Sequence, residues 1–409
     1  MRVPLSQPEI GKREIEYVTC ALQSGCLSLG PFLEEFEERF AAYTGARYAI
    51  ATNSGTSALH LCIRAMGIGP KNEVLTTSFS FVASANCLLY EHALPAFVDI
   101  DPVTLNLDPS KLREVIALDY AWERSKHCRV NRQSGRVLKA ILPVHVFGLP
   151  CNMSEICEIA REHDLLVLED ACEAIGAEFS GQRVGTFGDA AVFAFYPNKQ
   201  ITTAEGGMIV TNDPRIAELC RSMRNQGREE DCRWLQHSRL GFNYRLSELH
   251  CALGCAQLER IEELLSARAR VASWYSLALA RTPEVDLPCE LPGLTRSWFA
   301  YVIRLGGCDG PLLRNRLMAG LRGRRIGCQA YFQAIHRQPY FRQYEMLPRR
   351  DLPGTDSAAA RCLALPFFSS MTQKQVAEVC SAVEEILTEA RMMIETCQAH
   401  PTAVGSALT

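Results

Sequence analysis

From Arg47 to Asn212, seven short β-branched or apolar runs alternate with stretches of helical character, and no other feature of the chain restricts its fold as much. The runs are RYAIAT (from Arg47), EVLTT (from Glu73), PAFVDI (from Pro95), AILPVHV (from Ala140), LLVLED (from Leu165), AAVFAF (from Ala190) and MIVTN (from Met208). Strand, helix and strand in succession build parallel pairs, so the alternation predicts an α/β fold around a large, mostly parallel sheet flanked by helices. Crossovers of this kind are right-handed, and ligands settle beyond the carboxyl ends of the strands. Chemistry is therefore expected in the loops that leave the seven runs.

The pattern changes at Arg245. A long amphipathic stretch with Leu246, Leu249, Leu253, Leu258, Ile261 and Leu265 at helical spacing reads as one connecting helix. Beyond it lie a strand-like SWFAYVIRL (from Ser297), a helix from Gly310, the run LALPFF (from Leu363) and a closing helix announced by Thr372. A chain of 409 residues is too long for one ordinary core. We expect a large cofactor-binding domain over 1–260, a small C-terminal α+β domain over 261–396 and a mobile tail over 397–409. The charged segment 119–137 has no periodicity and reads as a solvated surface loop, or as a loop that binds a substrate phosphate or a partner.

Several classes of function are excluded. The net charge is -3 with both signs interspersed, which gives no global field for nucleic acid or an anionic membrane. No apolar run reaches the roughly 18 residues of a membrane span, and MRVPLSQPEIGKREIEYV lacks a signal peptide's basic-then-apolar design, so a cytoplasmic protein is expected. The 18 cysteines are scattered singly, as Cys62, Cys87 and Cys220 are, and form no CxxC pair. They read as small buried hydrophobes, with no metal and no structural disulfide.

One run ends in Glu169 and Asp170, and another ends near Tyr196 ahead of the lysine in FYPNKQITTAEGG. Both charges then sit at one edge of the sheet. A loop lysine is far more often a solvated surface charge than a catalyst. Lys199, however, follows Phe195, Tyr196 and Pro197 and precedes a Thr-Thr-Ala-Glu-Gly-Gly turn. A lysine desolvated by such neighbours loses pKa and becomes a nucleophile for aldehydes. An aldehyde cofactor with a phosphate arm needs amides at a helix start, and NSGTSALHL (Asn53 to Leu61) opens a helix straight after the first run, so Gly55, Thr56 and Ser57 can face an anion. Such turns also cap helices with nothing bound. Asp170 could keep a cofactor's ring nitrogen protonated, or be a structural acid.

In sum these blocks resemble the sugar aminotransferases of the DegT/DnrJ/EryC1/StrS family, within the fold-type-I (aspartate-aminotransferase-like) class of pyridoxal-phosphate enzymes. The resemblance runs from SGCLSLGPFLEEFEERF (from Ser24) through NSGTSALHL, SFSFVASAN (from Ser78), PVHVFGLP (from Pro143), VLEDACEAIGAEFSGQRVGTFGD (from Val167), FYPNKQITTAEGGMIVTND (from Phe195) and LGFNYRLSELHCALG (from Leu240) to LALPFFSSMT (from Leu363). It implies a pyridoxal 5'-phosphate enzyme that moves an amino group, from L-glutamate, to a nucleotide-linked 4-keto or 3-keto hexose. Lys199 would link to the cofactor and Asp170 would pair with the pyridine nitrogen. Gly55 and Thr56 would hold the phosphate, and Phe81 would stack on the ring. Asn243 would reach the phosphate of the neighbouring subunit's cofactor, so a homodimer with shared active sites is implied. Leu29, Tyr331 and His336 would shape the sugar pocket, although His336 equally suits a structural role.

Two departures from the family pattern stand out. Where members often have glutamine beside the cofactor ring's hydroxyl oxygen, this chain has Glu173, and a second carboxylate there repels that oxygen unless it is protonated or turned away. Where members often place a phosphate-binding serine, five residues before the lysine, it has Ala194, which shifts the load to Asn243, the helix amides or Ser57. Two rival functions share the scaffold. A pyridoxamine-dependent sugar dehydratase of the same family carries histidine at the lysine position, which Lys199 argues against. A catalytically silent sensor or regulator would keep the fold without turnover, yet the lysine and aspartate are both present.

Overall fold

All seven runs are strands in the computed structural model, which describes residues 2–125, 127–229, 236–344 and 350–399. The chain starts with α1 (Lys12–Ser24) and α2 (Pro31–Thr44), each ended by a glycine, Gly25 or Gly45, in the left-handed conformation. Next, β1 (Tyr48–Thr52) leads into α3 (Gly55–Ala65), β2 (Asn72–Thr77) into α4 (Ala83–Tyr90) and β3 (Leu94–Val98) into α5 (Pro109–Asp119). A hairpin of β4 (Tyr120–Glu123) and β5 (Cys128–Asn131) precedes β6 (Val137–Leu142), α6 (Met153–His163) and β7 (Leu166–Asp170). Two short strands, β8 (Glu178–Phe179) and β9 (Gln182–Arg183), come before β10 (Ala190–Ala194), β11 (Gly207–Thr211) and α7 (Pro214–Arg224). Asp108 and Asp213 accept amide hydrogen bonds at the starts of α5 and α7, just ahead of prolines that lack the amide a first turn leaves unpaired.

The main sheet has the order β1-β11-β10-β7-β6-β2-β3, with the hairpin attached beside β6. Neighbours on this path are parallel except where β11 pairs with β1 and β10. The carboxyl ends of the other six strands therefore share one edge. Alternate residues of each central strand feed opposite cores: Ile50, Val192 and Ile209 face α3 and α7, whereas Ala51, Phe193 and Val210 face α2 and the later helix α8 (Glu248–Glu259).

After the sheet come α8 (Glu248–Glu259), α9 (Ile261–Leu279), β12 (Val285–Asp286), β13 (Leu294–Thr295), β14 (Tyr301–Leu305), α10 (Gly310–Gly323), α11 (Pro353–Arg361), β15 (Cys362–Leu365) and α12 (Gln373–Ala399). A second core gathers Val271, Tyr275, Tyr301, Leu317, Leu363 and Val383 around the antiparallel β12-β14-β15 sheet. Thr372 caps α12 reciprocally with Gln375, the Thr-x-x-Gln arrangement that the sequence offers at this start.

The structure departs from the sequence reading in three places, each for a local reason. The single connecting helix is two, because Arg260 leaves the helical conformation (φ -107°, ψ 10°) while its guanidinium pairs with Glu9, Glu14 and Glu263. The SWFAYVIRL strand begins only at Tyr301, since the amide of Ser297 donates to Gly148 and the carbonyls of Trp298 and Phe299 are taken by Arg268. Segment 119–137 is a hairpin and not an irregular loop. Buried Glu73 on β2 fastens it, accepting hydrogen bonds from Tyr120 (2.6 Å), Asn131 (2.9 Å) and Ser134 (2.5 Å). Of the expected tail, residues 397–399 still belong to α12 and 400–409 lie outside the described residues. None of the described helices is long and apolar enough to cross a membrane, and the described cysteines are all free thiols.

Candidate active site

The loops leaving β1, β2, β7 and β10 meet at the shared edge and, with the segment after α10, enclose a cavity of about 600 Å³. Gly55, Thr56, Phe81, Asp170, Glu173 and Lys199 line it from the sheet side and Tyr331 from the other. Sequence reasoning therefore collected seven of its candidates in one place.

Each arrives there for a traceable reason. Asp170 is the last residue of β7 and is buried; Oδ2 accepts from the Ser84 hydroxyl at 2.7 Å and Oδ1 from the Cys172 amide at 3.2 Å. Ser84 is in turn 2.8 Å from Ser80, so a short hydroxyl chain holds this carboxylate in one orientation. Lys199 closes a tight turn after β10, its amide donating to the Tyr196 carbonyl at 2.9 Å. Its side chain is only 13% exposed, with Nζ 4.1 Å over the Phe299 ring and 3.7 Å from Glu173 Oε1. Beneath it Arg268, a buried guanidinium held by no carboxylate in the structure described, donates to the carbonyls of Lys199 (2.8 Å), Trp298 (3.3 Å) and Phe299 (3.2 Å). Burial lowers its pKa to about 10, so it remains a cation at neutral pH.

At the start of α3, Ser54 accepts from the Ser57 amide at 3.1 Å and lies 2.9 Å from the Ser57 hydroxyl. Ser57 is thus committed to the cap, while Ser54, Gly55 and Thr56 face the cavity. A Cβ on Gly55 would stand 2.8 Å from the Cβ of Ala194 and 3.1 Å from the sulfur of Cys172, and one on Gly207 would meet the Gly55 amide at 2.6 Å. These small residues let the helix start press against β10 and β11 with Gly55 and Thr56 on the cavity side, the cradle an anion needs. Gly55→Ala should therefore cost about 1–3 kcal/mol of overpacking and weaken phosphate-dependent ligand affinity roughly tenfold or more. Thermal melting and equilibrium titration with pyridoxal 5'-phosphate would measure both, and unchanged affinity would refute the cradle.

Three candidates stay outside the cavity. Leu29, in a left-handed backbone conformation, is 45% exposed on the segment whose Ser28 pairs with Ser247, and Asn243 is exposed on the neighbouring segment that pairs with Asn225. His336 turns away from the sugar-pocket position to contact the Ser78 hydroxyl (2.7 Å) and Asp356 (3.3 Å), and burial lowers its pKa. Conversely, Ser84, Phe299 and Asn198 line the cavity without having been singled out. Ser84 could have been found one helical turn after Phe81 in SFSFVASAN. Phe299 was masked by the strand reading of its run.

The residues present fit pyridoxal phosphate: a shielded amine, a buried carboxylate, an aromatic ring and the start of a helix line one cavity. Comparison with known proteins points the same way. The sequence model of the DegT/DnrJ/EryC1/StrS aminotransferase family matches residues 8–384. GDP-perosamine synthase of Caulobacter vibrioides is 40% identical over 391 residues, 94% of this chain and 98% of that protein. Spore coat polysaccharide biosynthesis protein SpsC of Bacillus subtilis is 34% identical over 94% of this chain and 97% of its own. Among solved structures, DesV of S. venezuelae superposes with a TM-score of 0.83 at 31% identity, covering 94% of this chain and 98% of its own. PseC of Helicobacter pylori, an aminotransferase of pseudoaminic acid biosynthesis, gives 0.85 at 27% over 95% and 99%.

Proposed function

The chain belongs to the DegT/DnrJ/EryC1/StrS aminotransferase family, and on that premise we propose that it uses pyridoxal 5'-phosphate to move an amino group from L-glutamate to a nucleotide-linked keto sugar. The observation that carries this reading is the convergence of Lys199, Asp170 and the start of α3 on one cavity. When bound, the cofactor supplies an aldehyde that links to amines and a ring that takes up electron density. Lys199 anchors it and, once freed by the donor, moves the proton at the substrate's α-carbon, a task for which its shielded Nζ is placed. Asp170, kept in orientation by Ser84, holds the proton on the ring nitrogen. Ser54, Gly55 and Thr56 bind the phosphate, Phe81 covers the ring, and Tyr331 closes the sugar side.

A homodimer completes this site in our reading. Asn243 and Leu29 lie on adjoining exposed segments away from their own chain's cavity, and Phe81, at its mouth, is 61% exposed. Asn243 would then reach the partner's phosphate and Leu29 its sugar. A chain that sediments as a monomer while fully active would exclude that arrangement.

The 40% identical relative is named for a GDP-linked sugar, so GDP-linked keto hexoses head the acceptors to try. Incubation with glutamate and a panel of nucleotide keto sugars, followed by mass spectrometry, should show one acceptor losing its keto oxygen and gaining nitrogen. Binding without product across the panel would favour the silent regulator instead.

A further inference from the structure

Glu173 is pinned on two sides. Oε2 accepts from the Phe147 amide at 2.9 Å, and its own carbonyl accepts from Gln200 at 2.6 Å. Oε1 is left 3.7 Å from Lys199 Nζ, in a pocket where the Glu173 side chain is 8% exposed and the amine rests on the Phe299 ring. So little water reaches the pair that a charge on either group is stabilised mainly by the other.

From this geometry, and resting on the function proposed above, we infer that Glu173 is the proton partner of Lys199 whenever the amine is not linked to the cofactor. In the forward direction an Nζ–H bond breaks and an Oε1–H bond forms, leaving a neutral amine able to attack and a neutral carboxyl. In reverse the carboxyl returns the proton and the ammonium settles over Phe299. The neutral carboxyl also removes the repulsion that a second carboxylate would exert on the cofactor's ring oxygen.

The other groups facing the pair do not compete for this role. Asp170 is hydrogen-bonded to Ser84 and the Cys172 amide. Burial pushes the Cys172 thiol and the Tyr331 hydroxyl up, so both stay neutral. Arg268 binds the lysine's carbonyl and not its amine, and Glu205 belongs to the cavity wall. For Glu173 itself burial raises the pKa, opposed by Lys199, as a shared proton requires.

The test is the titration of Lys199 in the full chain before cofactor is added, read by mass spectrometry after trace labelling with acetic anhydride at a series of pH values. Glu173→Gln keeps an oxygen for the Phe147 amide and removes the charge. The midpoint for Lys199 should fall by about one pH unit, and the acidic limb of the glutamate half-reaction in the loaded enzyme, where the freed amine must lose its proton to act, should move to lower pH with it. Glu173→Asp, which keeps the charge, should move both less. Should Glu173→Gln lose its cooperative melt, Glu173→Ala, which also removes the charge, decides in its place by the same labelling, and a wild-type midpoint there refutes the inference. An unmoved midpoint in folded Glu173→Gln refutes it equally. The visible band on adding pyridoxal phosphate separates the two readings: its absence from the wild type overturns the proposed function, and its presence with an unmoved midpoint overturns only the proton partnership.

Discussion

Lys199→Ala should abolish the visible absorption expected of the wild-type protein with pyridoxal 5'-phosphate and lower amino transfer by at least ~10⁴-fold. Anchor and proton carrier disappear together, and no second amine replaces them: the described residues around the cavity include no other lysine. The turn itself should persist, because it is held by backbone contacts such as Lys199 N–H to Tyr196 and Arg268 to the Lys199 carbonyl, and any fall in melting temperature reports Glu173 left buried without its partner. Absorption spectra and single-turnover rates with glutamate would check this. An intact band in the variant would show that the cofactor is held elsewhere.

The second large effect belongs to Asp170. Asp170→Asn keeps the shape and an oxygen for the Ser84 hydroxyl but removes the carboxylate that we propose holds the proton on the ring nitrogen. We expect transfer to fall roughly 10³-fold, the scale seen when one preorganised electrostatic contact to a reacting system is removed. Asp170→Ala should be at least as slow and should also destabilise the protein, since the Ser84 hydroxyl and the Cys172 amide lose their acceptor in a buried place. Half-reaction kinetics with glutamate distinguish this from loss of cofactor, which would appear as a fainter band restored by excess pyridoxal phosphate. A variant within tenfold of wild type would remove Asp170 from the mechanism.

What could be read from the sequence and what could not divides along distance in the chain. The seven strands were visible because each is a continuous buried run, and Asp170 and Lys199 were visible because they follow directly from strand ends. Ser84 acts on a carboxylate 86 residues away, and Arg268 on carbonyls 30, 31 and 69 residues away. An arginine on an amphipathic helix looks like a solvated charge until the fold buries it. For His336 the sequence left two readings open, pocket wall and structural histidine, and nothing local chose between them, because the ring's contacts to Ser78 and Asp356 are made by the fold. The break at Arg260 depended on Glu9 and Glu14, which lie at the far end of the chain.

The hydrogen bonds that Arg268 makes among the described residues go to main-chain oxygens, while its guanidinium lies 5.6 Å over the Phe367 ring. Residues 298 and 299 can therefore change identity, and so alter the floor beneath the amine, while the suspension of residue 199 stays as it is. A scaffold hung this way lets pocket lettering drift toward new sugars without retuning the hook that carries the reaction.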